Sequence, residues 1–247
     1  MTGRFWAVVP AAGIGRRFGS SAPKQYSSLC GASLIERTLQ QLVDSGVFCG
    51  ITVAISPDDS YFETLAIARY PLIQTTLGGQ TRAESVLAGL KSIDAANGGC
   101  GDTDWVMVHD AARPLVSTKD IVRLKQRLQS SGRATILGAR VADTVKRVNA
   151  STEHADQSSQ AIRETVDRTE LWVAQTPQAA SLNTLLAALE SLDASGKLPL
   201  VTDEASALEM LGHPVDIIEG NRRNFKVTLP EDLVMAEAIL SAPGETA

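Results

Sequence analysis

The residue pattern predicts a three-layer α/β domain: a mainly parallel, Rossmann-like sheet with helices on both faces and a β-arm for dimerisation projecting from it. Three observations carry that expectation. Apolar runs of strand length recur at Phe5 to Val9, Ile51 to Ile55, Trp105 to Val108, Ala134 to Leu137 and Val215 to Ile218. Amphipathic helical patterns separate them, the alternation expected of βαβ units. The runs are continuously apolar, as in strands covered on both faces.

Along the chain, the first run has only Arg4 close ahead of it and ends at Pro10, so it is too short for a signal segment or a membrane span and reads as a buried first strand. Ser33 is placed to cap a helix carrying Leu34, Ile35, Leu39, Leu42 and Val43, with Glu36 completing a capping box and Gly46 ending it. Further helical stretches run from Arg82 to Ile93, Thr118 to Leu128, Leu182 to Leu192, Glu204 to Leu211 and Glu231 to Leu240, and Thr202 or Asp203 caps the one that begins at Glu204. One segment breaks the rhythm. From Val141 to Asp167 the chain is polar, and its middle, Asn149 to Gln160, reads as a loose loop. The flanks Thr144 to Val148 and Ile162 to Asp167 read as a hairpin too thin to stand alone, so a partner subunit is its natural support. Length alone admits one domain or two. The expected division is a single domain over 1–240, with 141–167 as an inserted dimerisation arm and 241–247 as a flexible tail.

The net charge of -5 gives no general positive field for nucleic acid or an anionic membrane, so any phosphate binding must be local. Cys30, Cys49 and Cys100 are widely separated and form no CxxC, which argues against a disulfide framework or structural zinc and fits a reducing cytoplasm.

The first strand runs into Pro10-Ala11-Ala12-Gly13-Ile14-Gly15-Arg16-Arg17-Phe18-Gly19, followed by Pro23-Lys24-Gln25. Small residues let backbone N–H groups approach phosphate oxygens, and three cations close by neutralise the charge. This is a phosphate cradle. It is not a P-loop, and the glycines at 13, 15 and 19 miss GxGxxG by one position; the second strand ends in Ser56-Pro57 with no ribose-binding acid, which disfavours NAD. No Ser/His/Asp or Cys/His constellation is evident. His109 reads as a strand-end residue, His154 and His213 as loop residues forming no metal cluster, and Trp6, Trp105 and Trp172 as core. Taken alone, Asp110 to Arg113 reads as a solvated loop with a surface ion pair, and Asp167 to Glu170 as a charged turn.

Ala11-Ala12-Gly13-x-Gly15-x-Arg17 with Pro23-Lys24-Gln25 resembles the signature loop of the sugar-phosphate nucleotidylyltransferases, and Pro23 to Tyr26 narrows the resemblance to the methylerythritol phosphate cytidylyltransferases. Gly78-Gly79 with Arg82, Ser85-Val86, Val108 to Pro114, Asp143 to Lys146, Thr176-Pro177-Gln178, Thr202 to Ala207 and Lys226-Val227-Thr228-x-Pro230-Glu231-Asp232 match in order over nearly the whole chain. The resemblance implies transfer of a cytidine nucleotide from CTP to methylerythritol phosphate, with Mg²⁺, in a homodimer. Arg17 and Lys24 match the pair that stabilises transition-state charge. Ala11, Ala12, Gly13 and Gly15 would line the nucleotide phosphates, with Gly79 and Ser85 at the base and ribose and Thr176 among the substrate-binding positions. Asp110 is given Mg²⁺ or substrate contacts. Arg113 and Lys226, the latter catalytic, would grip the acceptor phosphate beside Thr228. Thr144 and the catalytic Arg168 match residues contributed by the partner subunit. Gln80 departs from the pattern, standing where many relatives carry an acid, and the loop from Asn149 to Gln160 is long for the family. The rival expectations are an enzyme of the same chemistry acting on ribitol 5-phosphate, and a nucleotide-binding regulator without turnover.

Overall fold

A computed structural model describes residues 3–13, 23–99, 101, 103–149 and 160–242. β1 (Phe5–Pro10) shows why the sheet has two covered faces: Phe5, Ala7 and Val9 enter one apolar cluster while Trp6 and Val8 enter another. The first cluster is closed by α1 (Leu34–Asp44) and α3 (Thr118–Ser131), the second by α2 (Arg82–Ala96), α4 (Leu182–Ala194) and α5 (Glu204–Met210). Period-two alternation with both faces apolar therefore yields three layers.

The remaining strands are β2 (Ser28–Leu29), β3 (Ala32–Ser33), β4 (Gly50–Ile55), β5 (Ile73–Leu77), β6 (Trp105–Val108), β7 (Ala134–Arg140), β8 (Val145–Val148), β9 (Ile162–Val166), β10 (Trp172–Ser181) and β11 (Val215–Glu219), and the chain's last helix is α6 (Pro230–Ser241). The seven-stranded sheet runs β11-β7-β10-β6-β1-β4-β5, and β10 alone lies antiparallel to its neighbours. Strand order reverses between β1 and β6, so a crevice opens beyond their carboxyl ends.

The helix starts follow from their caps. Ser33 with Glu36, Thr81 with Glu84 and Asp203 with Ser206 each close a capping box, so Asp203 rather than Thr202 is the cap of α5. Two strands of the seven-stranded sheet absent from the apolar-run reading are β5 and β10. β5 is an edge strand of mixed Ile, Gln, Thr and Leu, and β10 carries Gln175, Pro177 and Gln178, residues that weaken any strand pattern. Pro177 is accommodated because the register against β7 shifts between Gln175 and Gln178, where a missing N–H breaks no ladder. β8 and β9 form the expected hairpin, and Val141 N–H donates to the Leu171 carbonyl at its base. The middle of the expected loose loop, 150–159, lies outside the described residues, as does 243–247 of the expected tail. Ser241, assigned to that tail, is instead the last helical residue of α6. Trp172 is not core: it is half-buried, with the Arg140 guanidinium 4.5 Å above its ring. No helix among the described residues is long and apolar enough to cross a membrane.

Candidate active site

The cleft forms where four loops meet at the carboxyl ends of β1, β5, β6 and β11. Ala11 continues β1, donating its N–H to Ala54, while its carbonyl accepts 2.7 Å from the buried Gln25 amide. Ala11, Ala12 and Gly13 line the cleft; Gly15 and Arg17 lie outside the described residues. The chain returns at a short turn, Lys24–Tyr26, pinned by Tyr26, whose hydroxyl donates to Asp59 at 2.6 Å and whose ring stacks on Tyr61. Burial, with the Asp59 carboxylate beside it, raises the Tyr26 phenol's pKa and keeps it protonated as that donor. Lys24 thereby lies against the cleft, its Nζ 2.6 Å from the Val227 carbonyl.

The second loop, from β5 to α2, is built for close approach. A Cβ on Gly78 would lie 2.6 Å from the Ala12 methyl, and one on Gly79 2.3 Å from Glu84, so only glycine lets this loop meet both the first loop and its own helix. Gly79 N–H donates to the buried Ser85 hydroxyl, which lines the cleft, and Glu84 accepts from the N–H groups of Gln80 and Thr81.

The third loop follows β6 and carries the charge centre. Asp110 is only 7% exposed, yet it is surrounded by cations: Arg82 Nε at 2.9 Å, Lys226 Nζ at 2.9 Å and Arg113 Nε at 3.4 Å. Burial alone would raise its pKa, but Arg82, Lys226 and Arg113 outweigh it and hold the carboxyl well below the usual carboxylate range. For Arg113 burial dominates and lowers its pKa. The solvated-loop reading of 110–113 is thus overturned, because Asp110, Ala111 and Ala112 are all buried and Arg113 is half-buried.

His109 is fully buried and holds this turn from beneath. Thr176 Oγ1 accepts from Asp110 N–H at 3.0 Å, so its own proton points to His109 Nδ1 at 2.9 Å, and Nε2–H donates to the Arg113 carbonyl. Both ring nitrogens are occupied, and burial pushes the imidazole's pKa down to about 4. His109 is therefore neutral in the fold and protonated in the unfolded chain below about 6.5, so stability is full above that pH and falls as pH drops toward 4, by about 3 kcal/mol in all. A His109→Gln variant is expected to lose this component, giving a flatter dependence of unfolding free energy on pH between 6.5 and 4 in urea titrations.

Of the other expected site residues, Thr228 donates both N–H and hydroxyl to Asp232 beside the Lys24 anchor. Thr144 and Arg168 are exposed residues at the base of the arm and do not line the cleft. Within one chain Arg168 forms the charged turn of the simpler reading, donating to the Ala142 carbonyl. Sequence reasoning assigned no role to Arg82 or Glu204. Arg82 lines the cleft and joins Asp110 to the buried Glu204 through a two-pronged contact at 2.7 and 3.0 Å. One signal was available: a cation at the first position of a helix opposes the dipole, so its charge has to be answered elsewhere.

A carboxylate held ionised among three cations, beside a second lysine and loops of backbone donors, suits the handling of phosphate groups. The comparisons agree. The family described as 2-C-methyl-D-erythritol 4-phosphate cytidylyltransferase matches residues 5–242. Proteins of that name from Ectopseudomonas mendocina and Vibrio vulnificus are 42% and 43% identical, covering 94% and 95% of this chain and 94% of each relative. The crystal structure of the Francisella tularensis protein of that name superposes with a TM-score of 0.77 at 36% identity, over 95% of this chain and 99% of that one. The Thermus thermophilus structure gives 0.76 at 28% identity, over 97% and 100%. With loop order, charge centre and near-complete coverage in agreement, the chain belongs to the 2-C-methyl-D-erythritol 4-phosphate cytidylyltransferase family.

Proposed function

We propose that this enzyme transfers CMP from CTP to 2-C-methyl-D-erythritol 4-phosphate, giving 4-CDP-2-C-methyl-D-erythritol and pyrophosphate. The observation that carries the reading is the cleft itself: Lys24 and Lys226 on adjoining loops joined by the Lys24–Val227 bond, Arg82 and Asp110 lining the same cleft, and Arg113 paired with Asp110. An acceptor phosphate oxygen attacks the α-phosphorus, a new P–O bond forms, and the α–β bridging bond breaks with its electron pair leaving on pyrophosphate. The acceptor's second phosphate pKa of about 6 makes the nucleophile an anion already, so no general base is required. His109 agrees with this, since both of its nitrogens are taken.

What the reaction requires is charge stabilisation and alignment. Lys24 and Arg17 would neutralise the triphosphate, with Ala11, Ala12, Gly13 and Gly15 as its backbone cradle and Gly79 and Ser85 beside the base and ribose. Lys226, Arg113, Thr176 and Thr228 would form the acceptor end. The donor set fits Mg²⁺ carried by the triphosphate rather than a caged ion, because Asp110 is the single acid among the described residues lining the cleft and its oxygens already accept from three cations. Mg²⁺, when bound, supplies further neutralisation of the phosphate oxygens.

The β8–β9 arm exposes Ile162 and Val148, apolar side chains that a second copy would cover. In the homodimer, Thr144 and Arg168 would reach the other chain's cleft. Mixing Lys24→Ala and Arg168→Ala chains one to one should then restore about a quarter of wild-type activity, because half of the random dimers hold one intact composite site. Activity no higher than that of either parent refutes sharing. Free Cys30 and Cys49 suit the reducing cytoplasm.

The deciding experiment is pyrophosphate release with CTP and Mg²⁺, comparing methylerythritol 4-phosphate, ribitol 5-phosphate and no acceptor. Release with methylerythritol phosphate alone is expected. Preference for ribitol phosphate would change the acceptor and keep the mechanism, and CTP binding without release under any condition would overturn the enzyme reading.

A further inference from the structure

Arg82 opens α2, where the helix dipole disfavours a cation, and its side chain is nevertheless about three-quarters buried, being 26% exposed. Its charge is answered by Glu204, only 3% exposed, which takes Nη1 and Nη2 on its two carboxylate oxygens. Burial works against the guanidinium's charge, but Glu204 and then Asp110 outweigh it and raise the Arg82 pKa. Glu204 opens α5, where the dipole favours an acid. α5 is in turn fixed to β10: the Gln178 amide donates to Asp203 and accepts from Ala205 N–H. Both prongs of Arg82 are thus occupied by a rigid partner, and only Nε is left for Asp110 Oδ1. Lys226 and Arg113 share Oδ2.

Resting on the reading of this cleft as the acceptor site, we infer that Glu204 is a positioning residue for nucleotidyl transfer: by seating Arg82 it fixes the rotamer of Asp110 and keeps Oδ2 turned toward Lys226 and Arg113. Without that seat the Arg82 fork is free to close on Asp110 itself, since a guanidinium pairs best with a carboxylate through two parallel bonds. Asp110 would then rotate away from the two cations that meet the acceptor. Glu204 touches no substrate in this arrangement and acts only through Arg82.

The test is a double-mutant cycle with Glu204→Gln, which keeps shape and removes charge, and Arg82→Met, scored on folded protein. Glu204→Gln should lower kcat/KM for the acceptor phosphate by roughly ten- to a hundredfold, the scale of an ångström misplacement, while the KM for CTP stays within about twofold. In the Arg82→Met background the same change should cost less than about twofold. An undiminished acceptor kcat/KM, or an equal loss in both backgrounds, overturns the proposal. If Glu204→Gln alone does not fold, a loss above about twofold on adding it to Arg82→Met overturns the proposal, and Glu204→Asp, which keeps the charge but shortens the reach to Arg82, replaces it in the wild-type arm and in the crystallographic test. A crystal structure of Glu204→Gln gives a readout free of turnover: Asp110 is expected to leave its present rotamer, and an unmoved Asp110–Arg82 contact refutes the positioning role. A wild-type enzyme that released no pyrophosphate would refute the functional reading alone, leaving the crystallographic test standing.

Discussion

Lys24→Ala is expected to lower kcat by about 10²- to 10³-fold, the scale for removing one preorganised donor from a site where transition-state charge develops. The pinned turn at Lys24–Tyr26 sets the Lys24 backbone at the cleft, and the Nζ bond to the Val227 carbonyl fixes its side chain there. That bond, 2.6 Å long, ties the loop after β1 to the segment between β11 and α6. Loss of one such bond costs stability of about 1 kcal/mol, a fall in Tm of roughly 2–4 °C for a chain this size. A large kinetic loss with a small thermal one is therefore the signature. Single-turnover assays with saturating CTP and acceptor, set beside thermal unfolding, separate the two; an unchanged kcat removes Lys24 from the role.

Asp110→Asn should show the opposite balance. The amide keeps the shape of the carboxylate but leaves Arg82, Arg113 and Lys226 facing one another with only Glu204 to oppose them. Breaking a buried ion pair by removing one partner costs about 3–5 kcal/mol, so Tm should fall by roughly 6–20 °C together with activity. The native Asp110 pKa is depressed, so its stabilising contribution is complete above about 4 and is lost as pH falls below that value, beneath the window assigned to His109. Denaturation of the Asn variant should accordingly lose pH dependence only below about 4. A Tm within two degrees of wild type would mean that the three cations are not balanced by Asp110.

Much of this molecule is legible in its sequence because period and punctuation are local. β1, β4, β6, β7 and β11 each stand out as apolar runs, and Ser33 with Glu36 announces α1. β5 and β10 stay hidden because what makes them strands is the neighbour, not the composition: one lies along β4 at the edge, the other fits Pro177 into a bulge. The same divide runs through the site. Lys24, Asp110 and Lys226 sit in recognisable motifs, and the cleft does bring them together. Arg82 and Glu204 meet across most of the fold, and no spacing rule connects two first-turn residues on different helices. The burial of His109 is equally invisible, since it depends on Thr176 arriving from an antiparallel strand. Thr144 and Arg168 lie on an arm away from the cleft of their own chain, so the single chain gives them no site.

The charge centre draws Arg82 from α2, Asp110 and Arg113 from the loop after β6, Glu204 from α5 and Lys226 from the segment between β11 and α6. No part of the chain can assemble it early. During synthesis β1, β4, β5 and β6 can pair while β7 still lacks β10 and Asp110 still lacks Lys226, so the charge centre is the last feature the folding chain completes. On the mechanism proposed above, turnover would report that the carboxyl-terminal segment has docked, and a chain stalled short of that step would hold most of its sheet without its charge centre.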